Sequence, residues 1–133
     1  DIMFTIKPAA PEDYYDIKEI CEKHGKPLEL SAEKYIMVAK ENGFSGIGIF
    51  EIKDGIAEFT DIFMVDEENS QMKYFIAKAV LNSIDLKGIA DVYSNSEYLE
   101  PVFKMCRFEK ESDGTFHLNL EGYFTGCGSC GKN

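Results

Sequence analysis

The stretch from Tyr35 to Glu68, YIMVAKENGFSGIGIFEIKDGIAEFTDIFMVDEE, decides the fold. Three apolar runs follow one another in it: Tyr35-Ile36-Met37-Val38-Ala39, then Phe44 to Ile52, then Ile56 to Val65. Asn42-Gly43 separates the first two, and Asp54-Gly55 separates the last two. Such dipeptides supply the left-handed backbone of tight hairpin turns, whose twist matches that of the strands they join. The reading is therefore an antiparallel three-stranded meander. Gly46 and Gly48 interrupt the middle run, marking a bulge or a close backbone approach.

Working toward the N-terminus, Phe4-Thr5-Ile6-Lys7 alternates and stops at Pro8, as a short strand does. A helix follows, with Pro11 at its first position, Glu12 and Asp13 in its first turn, and Gly25 as its stop. Tyr14, Ile17, Ile20, Cys21 and His24 fall at helical spacing. Ser31 is placed to cap a short helix.

Toward the C-terminus, Asn69 or Ser70 caps a helix whose apolar stripe is Met72, Phe75, Ile76, Ala79, Val80 and Ile84, ending near Lys87-Gly88. Ile89 to Tyr93 reads as a strand, Tyr98 to Met105 as a helix with Pro101 in its first turn, and Thr115 to Leu120 as a last strand after Asp113-Gly114. Residues 1–120 form one α/β domain, and residues 121–133 a glycine- and cysteine-rich tail.

The chain has 133 residues, enough for one core and too few for two ordinary domains. Acidic residues outnumber basic ones by 24 to 14, a formal charge of −10. That balance disfavours a nucleic-acid or anionic-membrane partner, because both need clustered Lys and Arg. It leaves room for a locally held anionic cofactor, since helix-start amides attract an anion over short range. No apolar run reaches the roughly 20 residues of a membrane span. Met3 reads as the natural start with no secretory leader, and Cys21 and Cys106 as core thiols of a reduced protein, so a cytoplasmic location is expected.

The meander, the helix MKYFIAKAVL (residues 72–81) and the segment VYSNSEYLEPVFKMCRFEK (residues 92–110) together resemble the GNAT superfamily of N-acetyltransferases. The resemblance implies a mixed, twisted sheet with helices on both faces. It also implies an acetyl-CoA co-substrate lying where two central parallel strands splay apart, its pyrophosphate at the start of the helix after the meander. By that correspondence Phe63, Met64 and Val65 hold the thioester, while Lys73, Tyr74 and Ala77 line the cofactor helix. Phe75 stands where the family has a glycine, Phe103 where it often has a proton-donating Tyr, and Arg107 where it has another glycine. Asn95 matches the family's polar residue after the fifth strand.

Acetyl transfer to an amine needs a base for the ammonium, a grip on the carbonyl and an acid for the departing sulfur. Asp61 is the first candidate base, alternating with Phe59, Phe63 and Val65, and Glu58 on the opposite face is the second. Tyr98 or Tyr93 is the candidate acid. The acceptor is a small-molecule or peptide amine, which suits an acidic surface. The competing reading is a GNAT-like binding module without acyl-CoA chemistry, consistent with Phe75, Phe103 and the acidic run Asp66-Glu67-Glu68. A separate expectation concerns Cys127 and Cys130, half of a zinc site, which Cys21 and His24 would complete from one face of the first helix.

Overall fold

The computed structural model describes residues 4–125. Strands β1 (Phe4–Pro8), β2 (Lys34–Glu41), β3 (Phe44–Lys53), β4 (Ile56–Met64), β5 (Asp91–Ser94), β6 (Glu109–Lys110) and β7 (Phe116–Asn119) form one sheet. Its spatial order is β1-β2-β3-β4-β5-β7-β6. Helix α1 (Tyr14–Lys23), entered through a 3-10 turn at Pro11–Asp13, covers one face. Helices α2 (Ser70–Leu86) and α3 (Glu100–Met105) cover the other.

The meander forms as expected. Asn42 and Gly43 have φ of 57° and 112°, and Asp54 and Gly55 have φ of 54° and 76°, the left-handed pairs that a two-residue hairpin turn demands. Gly48 lies under α2, where a Cβ would stand 2.7 Å from a methyl group of Ile76 and another of Val80. Its missing side chain is what lets the helix settle onto the strand. Asn69 caps α2 by accepting the Met72 N–H at 3.0 Å, and Asp13 reaches back to the Ala10 N–H at 2.9 Å while pairing with Lys40 at 2.8 Å.

The core divides with the sheet. Ile17, Ile20 and Cys21 of α1 pack on Ile36, Val38, Ile47, Ile49 and Phe63. On the opposite face Phe50, Phe59, Ile62 and Met64 meet Ile76, Val80 and Phe103. Phe103, expected to stand at the acid's position, is fully buried and packs edge-on against Phe59. Arg107 adopts φ 73°, so the glycine it replaces in the resemblance would have been at ease there.

Three expectations need correction. No helix forms at Ser31; residues 32–33 make only a turn into β2, because the segment lacks an apolar stripe to bury. The fifth strand runs Asp91–Ser94, displaced from Ile89–Tyr93, because the chain first leaves α2 through Gly88 at φ 78°. Finally, the alternation along β4 breaks. Ile49 pairs with Asp61 but Phe50 pairs with Phe59, leaving Thr60 as an unopposed bulge residue. Phe59 therefore shares a face with Ile62 and Met64, and Asp61 shares the α1 face with Phe63, not with Phe59.

Candidate active site

β4 and β5 are the parallel pair, and they stay together only briefly. Ala57 pairs with Val92 and Glu58 with Tyr93; beyond the Thr60 bulge the strands part. A bulge increases local twist, and here it turns the second half of β4 away from its neighbour. A buried edge with unpaired amides and carbonyls needs partners. Side chains supply them in this molecule. Ser96 donates its hydroxyl to the Thr60 carbonyl, and the Ile62 N–H donates to the Tyr98 hydroxyl at 3.1 Å.

Tyr98 passes the connection on. Its hydroxyl lies 3.0 Å from Asp61 Oδ1 and 3.2 Å from the Ile62 carbonyl; with one proton to give, the carboxylate is the stronger acceptor. Asp61 Oδ2 accepts from the Lys26 ammonium. Only 5 % of Asp61 is exposed, so both oxygens of this inward-facing carboxylate are spoken for. The Tyr98 ring is half exposed while its hydroxyl is held by three groups. Burial and the adjacent Asp61 carboxylate push the phenol well above its usual pKa, which keeps it protonated at neutral pH.

The loop between β4 and α2 carries a second internal contact. Glu67 pairs with His24 Nε2 at 2.8 Å and with Lys73 Nζ at 3.5 Å. Partial burial raises the Glu67 carboxyl, but the His24 hydrogen bond, the Lys73 charge and the Met64 N–H outweigh it and hold the pKa below the ordinary value. Glu67 is thus an oxyanion of the chain itself, lodged among a lysine, a histidine and a β4 amide. Tyr98 is likewise an oxygen ligand on the next splay-facing amide. Tyr98 and Glu67 thus place an oxygen on the open edge of β4 and a negative charge beside Lys73, the kinds of group that an acyl thioester and its anionic carrier would bring if both side chains yielded. Ile62 and Met64 would then hold the thioester arm, with Lys73 near the anion. Of the expected set, Met64 faces the splay, whereas Val65 N–H bonds Ser45 O at 2.9 Å and Phe63 pairs with Ile47 in the meander.

Other expected residues lie elsewhere. Glu58 and Asn95 share a shallow cavity of about 330 Å³ at the start of β4, along with Tyr93 and Glu51. Asn95 accepts from the Thr115 hydroxyl at 3.3 Å, on the β7 side and away from Asp61. Ala77 is buried in the α2 core, and Tyr74 flanks the Lys78 ammonium. Phe75 turns toward β1 and stacks on Phe4, with ring centroids 5.2 Å apart.

Of the expected zinc set only Cys21 and His24 are among the described residues. Cys127 and Cys130 lie outside the described residues. His24 donates or accepts on both ring nitrogens, to Ile20 O at 2.9 Å and to Glu67, and stacks on Phe63. Cys21 is buried, which raises its thiol pKa, and Cys106 is pushed up to about 11 by burial. Among the described residues no cluster of three or more His, Cys, Asp and Glu can hold a metal. Among them, too, no helix is long and apolar enough to cross a membrane. Lys26 and Ser96 escaped the sequence reading, and Glu67 entered it only as part of an acidic run, because loop residues that close a contact across the chain leave no periodic signal.

The fold is that of the GNAT N-acetyltransferases. The chain superimposes on the ribosomal-protein-S18-alanine N-acetyltransferase of Escherichia coli with a TM-score of 0.71, at 12 % identity, over 89 % of this chain and 94 % of that one. Against the spermidine N-acetyltransferase of Vibrio cholerae the score is 0.69, at 14 % identity, over 90 % and 95 %. Against the PaiA N-acetyltransferase of Thermoplasma acidophilum, a complex with coenzyme A, it is 0.64, at 12 % identity, over 88 % and 99 %. No protein-family model matches the chain, and no curated protein matches it in sequence.

Proposed function

We propose that the protein is a cytoplasmic N-acetyltransferase that moves an acetyl group from acetyl-CoA to a primary amine of a small molecule or peptide. The observation that carries this reading is the Asp61–Tyr98 pair, 3.0 Å apart, set where β4 and β5 separate. A buried carboxylate beside a protonated phenol supplies the two proton-handling groups that amide formation from a thioester requires. Asp61 accepts a proton from the amine, Tyr98 delivers one to sulfur, and the Ile62 N–H, freed of the phenol, polarises the carbonyl. Acetyl-CoA supplies the activated acyl group. Glu58 and Asn95 have no part, since their cavity lies at the other end of β4.

The test is thiol release from acetyl-CoA in the presence of a panel of alkyl amines, followed by product mass. Turnover that falls in Tyr98→Phe supports the assignment. Absence of turnover and of acetyl-CoA binding at millimolar ligand overturns it.

A second reading, a binding module on the same fold, is favoured by the internal occupation of the cleft by Tyr98 and Glu67. It predicts that Tyr98→Phe and Glu67→Gln leave acetyl-CoA binding absent, as in the parent chain. The transferase reading predicts that these variants bind more tightly.

A further inference from the structure

We propose that Lys26 is itself an acceptor, its ε-amine acetylated in cis by an acyl thioester bound between β4 and β5. This rests on the transferase reading and names an amine that the site already holds. Lys26 is delivered there by the end of α1. The helix stops at Gly25, whose φ is 72°, and the Lys26 N–H bonds back to the Cys21 carbonyl at 2.9 Å, fixing its backbone. Its side chain then reaches Asp61 Oδ2, while Tyr98 holds Oδ1. Lys18, Lys40, Lys73, Lys104 and Lys110 also meet carboxylates, but none of those carboxylates binds Tyr98.

Space supports the same assignment. The cavity beside Asp61, lined by Cys21, Lys26, Leu28, Ile49 and Thr60 among others, is about 70 Å³. With Lys26 seated on Asp61 that leaves room for only a few waters, so the lysine fills the place beside the carboxylate. The ammonium seated on the base is Lys26's own.

The step balances. Lys26 gives one proton to Asp61, and its free electron pair forms the new C–N bond at the thioester carbonyl as the C–S bond breaks. The departing sulfur takes the phenolic proton of Tyr98. The second nitrogen proton restores Tyr98, and Asp61 loses its proton to water. An ammonium and a thioester become an amide, a thiol and one released proton. The acetyl-lysine has no charge, so its pairing with Asp61 ends.

The experiment incubates the full chain with acetyl-CoA at neutral pH and maps acetylation of every lysine by peptide mass, while calorimetry on the same preparation measures acetyl-CoA binding. Lys26 is expected to label at least about tenfold faster than Lys18 or Lys40, at a rate per molecule independent of protein concentration. Asp61→Asn is expected to slow Lys26 labelling about a hundredfold. Uncatalysed acetylation does not use Asp61 and would not be slowed by this substitution. Should Asp61→Asn fail to fold, Tyr98→Phe keeps the Lys26–Asp61 pair and slows the same step. Lys26→Arg retains binding and loses the label. Acetyl-CoA binding without preferential labelling of Lys26 overturns this inference and leaves the transferase reading intact. Absence of binding overturns both.

Discussion

The two halves of β4 are built on different terms. From Ile56 to Phe59 the strand lies between β3 and β5, with β3 partners throughout, β5 partners at Ala57 and Glu58, and Phe59 sealed against Phe103. From Asp61 to Met64 it keeps β3 but loses β5, and its open edge is held by Ser96, Tyr98 and Glu67. Thr60, the bulge, is the joint between the two regimes. The first half is satisfied by backbone and needs nothing more. The second is satisfied by side chains, which the proposed acyl thioester would displace. Two carboxylates on one strand follow suit: Glu58, in the paired half, is exposed, and Asp61, in the open half, is buried and doubly bonded.

The largest expected effect breaks the first half. Phe103→Ala removes the ring beneath Phe59 and should cost about 3–5 kcal/mol, read from the urea midpoint, because a rigid core leaves a cavity. Next comes the contrast between the carboxylates. Asp61→Asn should lower acetyl transfer by about 10²–10⁴-fold, while Glu58→Gln leaves it unchanged; equal losses would show that the halves are not functionally distinct. Gly48→Ala drives a Cβ into Ile76 and Val80 and should destabilise by about 1–3 kcal/mol, as overpacked sites do.

The smallest effect concerns acid. Glu67 and Asp13 both have lowered carboxyl pKa values in the folded chain, so the unfolded state binds more protons. Their stabilisation is complete above the unfolded-state pKa and is lost as pH falls through the folded-state values, below about pH 4. Glu67→Gln should flatten that acid limb slightly in a urea titration at several pH values. An unchanged limb would mean that the contacts of Glu67 with His24 and Lys73 contribute nothing.

The fold was legible in the sequence where one local rule governs one element. Asn42-Gly43 and Asp54-Gly55 dictated hairpin turns, Asn69 or Ser70 a helix cap that falls to Asn69, and Gly46 and Gly48 a bulge or a close approach, which at Gly48 is that of the helix α2. Asp61 and Tyr98 stood out in the sequence as candidates, one a carboxylate among apolar neighbours and the other a phenol near the fifth strand. Their pairing was not legible, because it depends on Thr60 shifting the register and on a loop returning 37 positions later. The same shift explains why Phe59 was misplaced onto the face of Asp61. Lys26 and Glu67 lay beyond reach for a similar reason: their partners are set by topology, not by spacing. Asn95 matched a pattern in the linear sequence and yet turns toward Thr115.

The central claim is that the open half of β4 is a site for an acyl thioester. A titration of isotopically labelled protein with acetyl-CoA, followed through the backbone amide resonances, tests it directly. The account predicts saturable shifts centred on Ile62 and Met64, with Ala57 and Glu58 unmoved, as Tyr98 and Glu67 release their amides. Absence of shifts at millimolar ligand, or shifts confined to the paired half, would contradict it.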